Sequence, residues 1–254
     1  MNISCIGTGY VGLVTGVCLS SIGHNVTCID INADRIQQLK QGYCPIYEPG
    51  LAELMKQQAD RLSFSTHYDS VQKADMVFLA VGTPSSADGS VNCEALFNAM
   101  SQLAPLLSDD TIVVVKSTVP IGTNQRIADI IAIQCPHLKE VHVASNPEFL
   151  REGSAINDFM NPDRIIIGIE QASLQEVFNQ LYAPFKHVIQ FTNRVTSEII
   201  KYASNCFLAT KVAFINELSD LCRASGGHID ALSLAMGTDP RIGPLFLKPG
   251  PGIG

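Results

Sequence analysis

Near the start of the chain, Gly7, Gly9 and Gly12 are spaced to hold a phosphate group. They follow a short apolar run at residues 3–6 and open a segment whose apolar residues have helical spacing. The first glycine permits a tight turn, the second lets a pyrophosphate approach the backbone, and the third lets helix and strand pack closely. The free N–H groups and partial positive charge of a helix N-terminus favour phosphate binding. The pattern therefore predicts a dinucleotide site rather than a glycine turn that binds nothing.

An acidic residue after the second apolar run, residues 26–29, adds a preference between cofactors. Asp30 lies about as far beyond Gly12 as a carboxylate that binds the adenosine ribose is expected to lie. A carboxylate at that point would repel a 2′-phosphate. We therefore expect NAD as the cofactor, and not NADP.

Strand-like apolar runs alternate with helical patterns over about the first 190 residues. The elements they form must position the three glycines and Asp30. The continuous apolar character of the runs is typical of parallel strands that are covered on both faces. The predicted fold is α/β, a Rossmann-type, doubly wound, mostly parallel sheet with ligands at the carboxyl ends of its strands. The runs are residues 3–6, 26–29, 62–64, 76–81, 111–115, 141–144, 165–169 and 188–191. Three polar segments that follow such runs, 81–84, 116–120 and 145–148, are expected to meet at that edge.

The last quarter of the chain has a different pattern. Residues 193–225 lack proline and glycine, and their apolar positions recur at helical intervals. This predicts one long helix that outgrows a single domain, then a shorter helix at 228–236 and a Gly/Pro loop. We therefore divide the chain into a cofactor domain, 1–192, and a region of two helices and a closing Gly/Pro loop, 193–254.

Composition excludes several classes of protein. The 254 residues carry a formal net charge of −7, which argues against nucleic-acid or anionic-membrane binding. They are 46% hydrophobic, which is enough to bury a core. No apolar stretch reaches the length of a membrane span or has the form of a signal peptide. The eight cysteines show no Cys-x-x-Cys pair, and the six histidines no metal-ligand spacing. We expect a cytoplasmic protein with reduced thiols and no metal.

Together these segments resemble the nucleotide-sugar 6-dehydrogenases, which implies the predicted fold and NAD. Segments 146–153 and 161–164 are more similar to the branch that acts on UDP-glucose than to those for GDP-mannose or UDP-N-acetylmannosamine. The segments that carry the likeness are residues 7–13, 45–51, 81–84, 116–119, 146–153, 161–164, 201–205, 241–243 and 249–252.

The resemblance implies oxidation of UDP-glucose to UDP-glucuronate by two NAD and water, with two hydride transfers and a cysteine thioester. In that family, a segment with the cysteine nucleophile and a second α/β domain follow the closing glycine loop. The sequence here stops at Gly254, before that segment, and we assign the nucleophile's role to none of its cysteines. We expect this chain to bind NAD but not to complete the reaction by itself.

Roles for single residues follow from the same resemblance. Lys201 would stabilise charge on the sugar oxygen, and Asn205, one helical turn later, would fix its position. Glu148 would be the general acid–base, with Thr118 holding water or the catalytic network. Without the resemblance, Lys201 and Asn205 would be a solvated pair and Glu148 an acid at a helix start. The expected cofactor residues are Gly7, Gly9, Tyr10, Val11, Gly12, Asp30, Arg35, Thr83, Thr118 and Glu152. The expected substrate residues are Glu148, Phe149, Leu150, Arg151, Lys201, Asn205, Arg241, Phe246 and Gly250.

The resemblance also implies contact with a second copy of the chain, and two other functions fit the sequence. By resemblance, Arg241 would reach a neighbouring subunit's substrate site, and apolar residues of the long helix would form a homodimer; without it, Arg241 would be a solvated loop residue. A β-hydroxyacid dehydrogenase is a second reading, because that family also joins a Rossmann domain to a helix with Lys-x-x-x-Asn. A non-catalytic NAD-binding dimer module is a third.

Overall fold

The computed structural model describes residues 1–252 and forms two compact units, Met1–Ile199 and Ile200–Gly254. Strands alternate with helices along the first unit. The strands are β1 (Asn2–Ile6), β2 (Asn25–Ile29), β3 (Leu62–Ser65), β4 (Met76–Leu79), β5 (Ile112–Val115), β6 (His142–Ser145), β7 (Ile165–Gly168) and β8 (Ile189–Thr192). The helices are α1 (Tyr10–Ser21), α2 (Ala33–Lys40), α3 (Leu51–Gln57), α4 (Glu94–Leu103), α5 (Thr123–Gln134), α6 (Ala155–Met160), α7 (Leu174–Leu181), α8 (Arg194–Ser225) and α9 (Ile229–Gly237). Short 3-10 turns lie at Asp69–Lys73, Ala104–Leu106 and Ala183–Val188.

The strands form a single sheet in the order β3-β2-β1-β4-β5-β6-β7-β8. Neighbouring strands are parallel except β6 and β7, which run antiparallel and meet at Ser145 and Gly168. The predicted doubly wound, mostly parallel sheet is therefore confirmed. Because β2 and β4 lie on either side of β1, the strand order reverses at β1. In open α/β sheets a crevice for ligands forms at such a point.

The continuous apolar runs are explained by burial on both faces of the sheet. Met76 and Phe78 pack into one core cluster, whereas Val77 and Leu79 pack into another. Strand β5 alternates between the two clusters in the same way. Since both faces are covered, every position of these strands favours an apolar residue. Strand β4 ends at Leu79, two residues before the end of the predicted run.

The predicted long helix is α8, which spans 32 residues. The boundary between the two units falls within its sequence. In the second unit, the side chain of Asn216 donates to the carbonyl of Gly250 and accepts from its N–H, both at 2.9 Å. These bonds hold the Gly/Pro loop onto the helix. The division into 1–192 and 193–254 stays a prediction. None of the described helices has the length and apolar character required to span a membrane.

Candidate cofactor and catalytic site

The glycine turn joins the end of β1 to the start of α1. Gly7 has a φ of +97°, which L side chains rarely adopt, and its N–H donates to the carbonyl of Ile29 at 2.7 Å. A Cβ on Gly7 would lie 2.5 Å from the carbonyl oxygen of Ala80. Both the backbone conformation and the close approach of β4 therefore require glycine here.

Gly9 and Gly12 differ in what surrounds them. A Cβ on Gly12 would lie 2.0 Å from the carbonyl oxygen of Gly7, so the protein's own packing excludes a side chain there. A Cβ on Gly9 would meet nothing within 4 Å, and the φ of Gly9 is an ordinary −66°. The fold does not need glycine at Gly9. The bare backbone therefore leaves open space at the N-terminus of α1, where a pyrophosphate fits.

Asp30 follows β2 beside this turn, and four donors surround its carboxylate. Oδ2 accepts from the N–H of Thr8 at 2.7 Å and from its hydroxyl at 2.8 Å, and Oδ1 accepts from the N–H of Asn32 at 2.9 Å. Arg35 lies 3.4 Å from Oδ2. Burial alone would raise the pKa of Asp30, but these hydrogen bonds and the charge of Arg35 together lower it. Asp30 is therefore an anion at neutral pH, and its side chain keeps 11% exposure, through which a ribose hydroxyl can reach it.

The segments after β4 and β5 meet at the same edge of the sheet. The hydroxyl of Thr83 donates to the carbonyl of Thr118 at 2.8 Å. The hydroxyl of Ser117 donates to the carbonyl of Val81 at 2.6 Å. The structure thus brings together Thr83 and Thr118, two predicted cofactor residues that lie in different loops.

The segment after β6 is fixed by a buried amide that the sequence analysis missed. The Oδ1 atom of Asn146 accepts from Lys116 Nζ at 3.1 Å and from the hydroxyl of Tyr182 at 2.6 Å. Its Nδ2 atom donates to the carbonyl of Ile166 at 3.0 Å. Asn146 is 1% exposed. It therefore joins β5, β6 and β7 directly before the loop that carries Glu148.

That loop is ordered by its own polar contacts. A carboxylate oxygen of Glu148 accepts from the N–H of Leu150 at 2.6 Å. The guanidinium of Arg151 pairs with Asp158, which also accepts from the backbone N–H of Arg151. The guanidinium of Arg164 lies over the ring of Phe149, 4.3 Å from its centroid. Arg151 is thus held by an acid of α6, and its predicted contact with the sugar stays a prediction.

A second missed residue is Glu48, in the loop before α3. Its carboxylate accepts from the hydroxyl of Tyr10 and, at 2.8 Å each, from the N–H groups of Gly153 and Ala155. Burial, followed by the hydrogen bond to Glu48, raises the pKa of Tyr10 well above its usual value. In the sequence, Glu48 lies in segment 45–51, which carries part of the family likeness, and in a loop that leads into a helix. Such a position does not show a buried acceptor.

In the second unit, Lys201 and Asn205 lie one helical turn apart on α8. The side chain of Lys201 is buried, and Asn205 is exposed. Arg241 pairs with Asp239 and is itself 88% exposed. Phe246 has a φ of 63°, the only positive value found for a non-glycine residue between 1 and 252. The roles assigned to these residues stay predictions.

Two family models match the chain. The NAD binding domain of the UDP-glucose/GDP-mannose dehydrogenase family matches residues 1–186, and the central domain of the same family matches residues 195–254.

Individual relatives agree with these matches. The chain is 51% identical, over its whole length, to UDP-glucose 6-dehydrogenase YwqF of Bacillus subtilis, of which it covers 58%. Among solved structures, a UDP-glucose dehydrogenase from Pyrobaculum islandicum superposes with a TM-score of 0.94 at 37% identity, over 99% of this chain and 60% of that one. A GDP-mannose dehydrogenase from Pseudomonas aeruginosa gives a TM-score of 0.91 at 32% identity, over 98% and 58%. The chain thus spans somewhat less than two thirds of the length of these relatives.

Proposed function

Because this chain belongs to the UDP-glucose/GDP-mannose dehydrogenase family, we propose that it serves the NAD-dependent oxidation of UDP-glucose at C6 to UDP-glucuronate. The observation that carries the proposal is the open backbone at Gly9 beside the anionic Asp30. The similarity to YwqF, which is named a UDP-glucose 6-dehydrogenase, favours UDP-glucose over other nucleotide sugars.

The cofactor would bind to residues 1–186, which match the NAD binding domain of the family. Gly9 and the first turn of α1 would hold the pyrophosphate, and Asp30 would accept hydrogen bonds from the adenosine ribose. Thr83 and Thr118, whose loops meet, would lie toward the nicotinamide ring. A bound NAD would supply the hydride acceptor for the oxidation.

The remaining predicted residues would act on the sugar. Glu148 is the proposed general acid–base, as the family resemblance implies. The buried Asn146 at the start of its loop would hold it in place. Lys201 would stabilise the charge that develops on the C6 oxygen, and Asn205 would orient that oxygen. Removing the Lys201 charge, as Lys201→Met, should lower kcat of the whole protein by about 100-fold. A kcat equal to that of the unsubstituted protein would remove Lys201 from the mechanism.

The second unit would form a dimer with another copy of the chain. Large apolar side chains lie exposed on its two helices, with Phe207 65%, Phe214 51%, Leu221 60% and Leu234 74% exposed. Apolar side chains that recur on such helices commonly mark an interface. Analytical ultracentrifugation should give twice the chain mass, and Phe214→Lys should shift the protein toward monomer. A monomer at all concentrations would contradict this assembly.

Steady-state assays test the function itself. NADH formation is followed by its absorbance with the whole protein and equal concentrations of UDP-glucose, GDP-mannose and a small β-hydroxyacid. We expect turnover with UDP-glucose, at a kcat/KM at least about 100-fold above the others. Preference for GDP-mannose would assign the protein to another branch of its family. NADH from the hydroxyacid alone would overturn the proposal.

A further inference from the structure

Glu48 is a buried carboxylate to which the proposed function has given no role. It is 6% exposed and lies in the loop before α3. Its three hydrogen-bond donors come from two segments distant in sequence, Tyr10 on one side and Gly153 with Ala155 on the other. No donor belongs to α3, the helix that follows Glu48. A carboxylate that served only to start α3 would bond to that helix.

The two segments carry different parts of the candidate site. Tyr10 is the first residue of α1 and follows the open backbone of Gly9. Gly153 and Ala155 end the loop that carries Glu148 and Glu152. The hydroxyl of Tyr10 also lies 3.3 Å from the carbonyl oxygen of Arg151, in the same loop. Glu48 therefore links the first residue of α1 to the end of the proposed acid–base loop, and the contact between Tyr10 and Arg151 joins the same two segments directly.

The local chemistry explains why this acceptor is an acid. Helix α6 begins at Ala155, and its N-cap residue, Ser154, makes no capping hydrogen bond through its side chain. Glu48 accepts from the Ala155 N–H instead, so its charge lies near the positive end of the helix. A buried charge is expensive unless it is satisfied, and three donors satisfy this one. On the other side of the loop, Asp158 holds Arg151. The loop is thus fixed between two acids.

We propose that Glu48 is a positioning residue for the reaction, which holds residues 148–155 at a set distance from the first turn of α1. The inference rests on the proposed function, because the loop matters only if Glu148 acts on a substrate beside the cofactor. In this role Glu48 acts through its bonds to Tyr10, Gly153 and Ala155 and not by direct contact with a reacting group. Its loss leaves the phosphate turn intact and displaces the loop.

Three variants of the whole protein test this role. Glu48→Gln keeps the size of the side chain but replaces one acceptor oxygen by an NH2 group that faces another donor. Tyr10→Phe removes one donor and leaves both loop amides bonded to Glu48. Glu53→Gln is the matched control, because Glu53 is an exposed acid in the first turn of α3.

The expected result is a split between catalysis and cofactor binding. Glu48→Gln should lower kcat with UDP-glucose by about 100-fold, since a displacement of about 1 Å at a reacting group has that effect. Its Kd for NAD should change by less than about 3-fold, or about 0.6 kcal/mol. Tyr10→Phe should lower kcat by a smaller factor, about 10-fold, and Glu53→Gln should leave both constants unchanged.

Amide hydrogen exchange separates positioning from general stability. In Glu48→Gln, exchange should quicken at residues 148–155 while the strands of the sheet keep their protection. Faster exchange throughout residues 1–199, with loss of NAD binding, would show a merely structural role and overturn the proposal. Unchanged kcat and exchange in both Glu48→Gln and Tyr10→Phe would also overturn it. If Glu48→Gln does not fold, Tyr10→Phe decides: a lower kcat with an unchanged Kd for NAD and faster exchange at residues 148–155 supports the proposal, and a changed Kd for NAD or unchanged exchange there overturns it.

Failure of the proposed function gives a different result. The unsubstituted protein and Glu53→Gln would then show no NADH formation from UDP-glucose at all. Reduced kcat in Glu48→Gln and Tyr10→Phe alone, with an active control, supports the positioning role.

Discussion

The glycine turn and the loop at residues 146–155 are two regions of the candidate site, and they are held in shape by different interactions. At the turn, the φ of Gly7 and the absence of a Cβ at Gly12 fix the backbone. At the loop, the side chains of Asn146 and Glu48 fix it through bonds to distant segments. The turn is therefore fixed by backbone conformation and steric exclusion, whereas the loop is fixed by side-chain hydrogen bonds to distant segments.

The largest effect should come from Gly12 at the turn. In Gly12→Ala, the added methyl group would overlap the carbonyl oxygen of Gly7, so we expect a loss of about 3 kcal/mol in the free energy of unfolding. Urea denaturation measures it. Gly9→Ala is the matched control and should change the free energy by less than about 0.5 kcal/mol. Equal losses in both variants would contradict the assignment of Gly9 to the ligand.

The corresponding change in the loop is Asn146→Leu. It withdraws the acceptor shared by Lys116 and Tyr182 and the donor to Ile166, so we expect a loss of about 2 kcal/mol. Tyr182→Phe, which removes one of these bonds, should cost about 1 kcal/mol. Urea denaturation of both variants provides the comparison. A stability equal to that of the unsubstituted protein would show that the loop is held by other means.

The choice between cofactors should depend on Asp30. Asp30→Asn removes the charge that repels a 2′-phosphate, so the preference for NAD over NADP should fall by about 10-fold. Competitive titration of the two cofactors measures the ratio of their Kd values. Asp34→Asn is the control, because Asp34 is an exposed acid in the first turn of α2. An unchanged ratio in Asp30→Asn would place the adenosine elsewhere.

The smallest expected effect is a loss of stability at low pH that depends on Asp158. The hydrogen bond from Arg151 is the main cause that lowers the pKa of Asp158 below its ordinary 3.8. A lowered pKa in the folded state means stability that is complete above 3.8 and is lost as the pH falls through the folded value. The urea midpoint should therefore drop between pH 5 and pH 2 by more in the unsubstituted protein than in Asp158→Asn. Equal drops would show that this ion pair does not stabilise the loop.

The difference between the glycine turn and the loop also explains what the sequence could predict. The strands, the glycine turn and α8 follow from periodicity and local backbone rules, and all three are confirmed. The antiparallel pairing of β6 with β7 has no local signal, because an apolar run does not indicate the direction of its strand relative to its neighbours. Glu48 bonds to residues more than 100 positions away, so no spacing reveals it. Buried polar contacts between distant segments are what pattern reading misses.

The central claim is that NAD binds over the open backbone of Gly9. Isothermal titration of NAD into this chain, beside Gly9→Ala, tests it most directly. We expect saturable binding at concentrations up to about 1 mM in the unsubstituted chain. In Gly9→Ala the fold should remain and the affinity should fall at least about 10-fold, or 1.4 kcal/mol. Equal affinity in the two proteins, or no saturable binding to either, would contradict the claim.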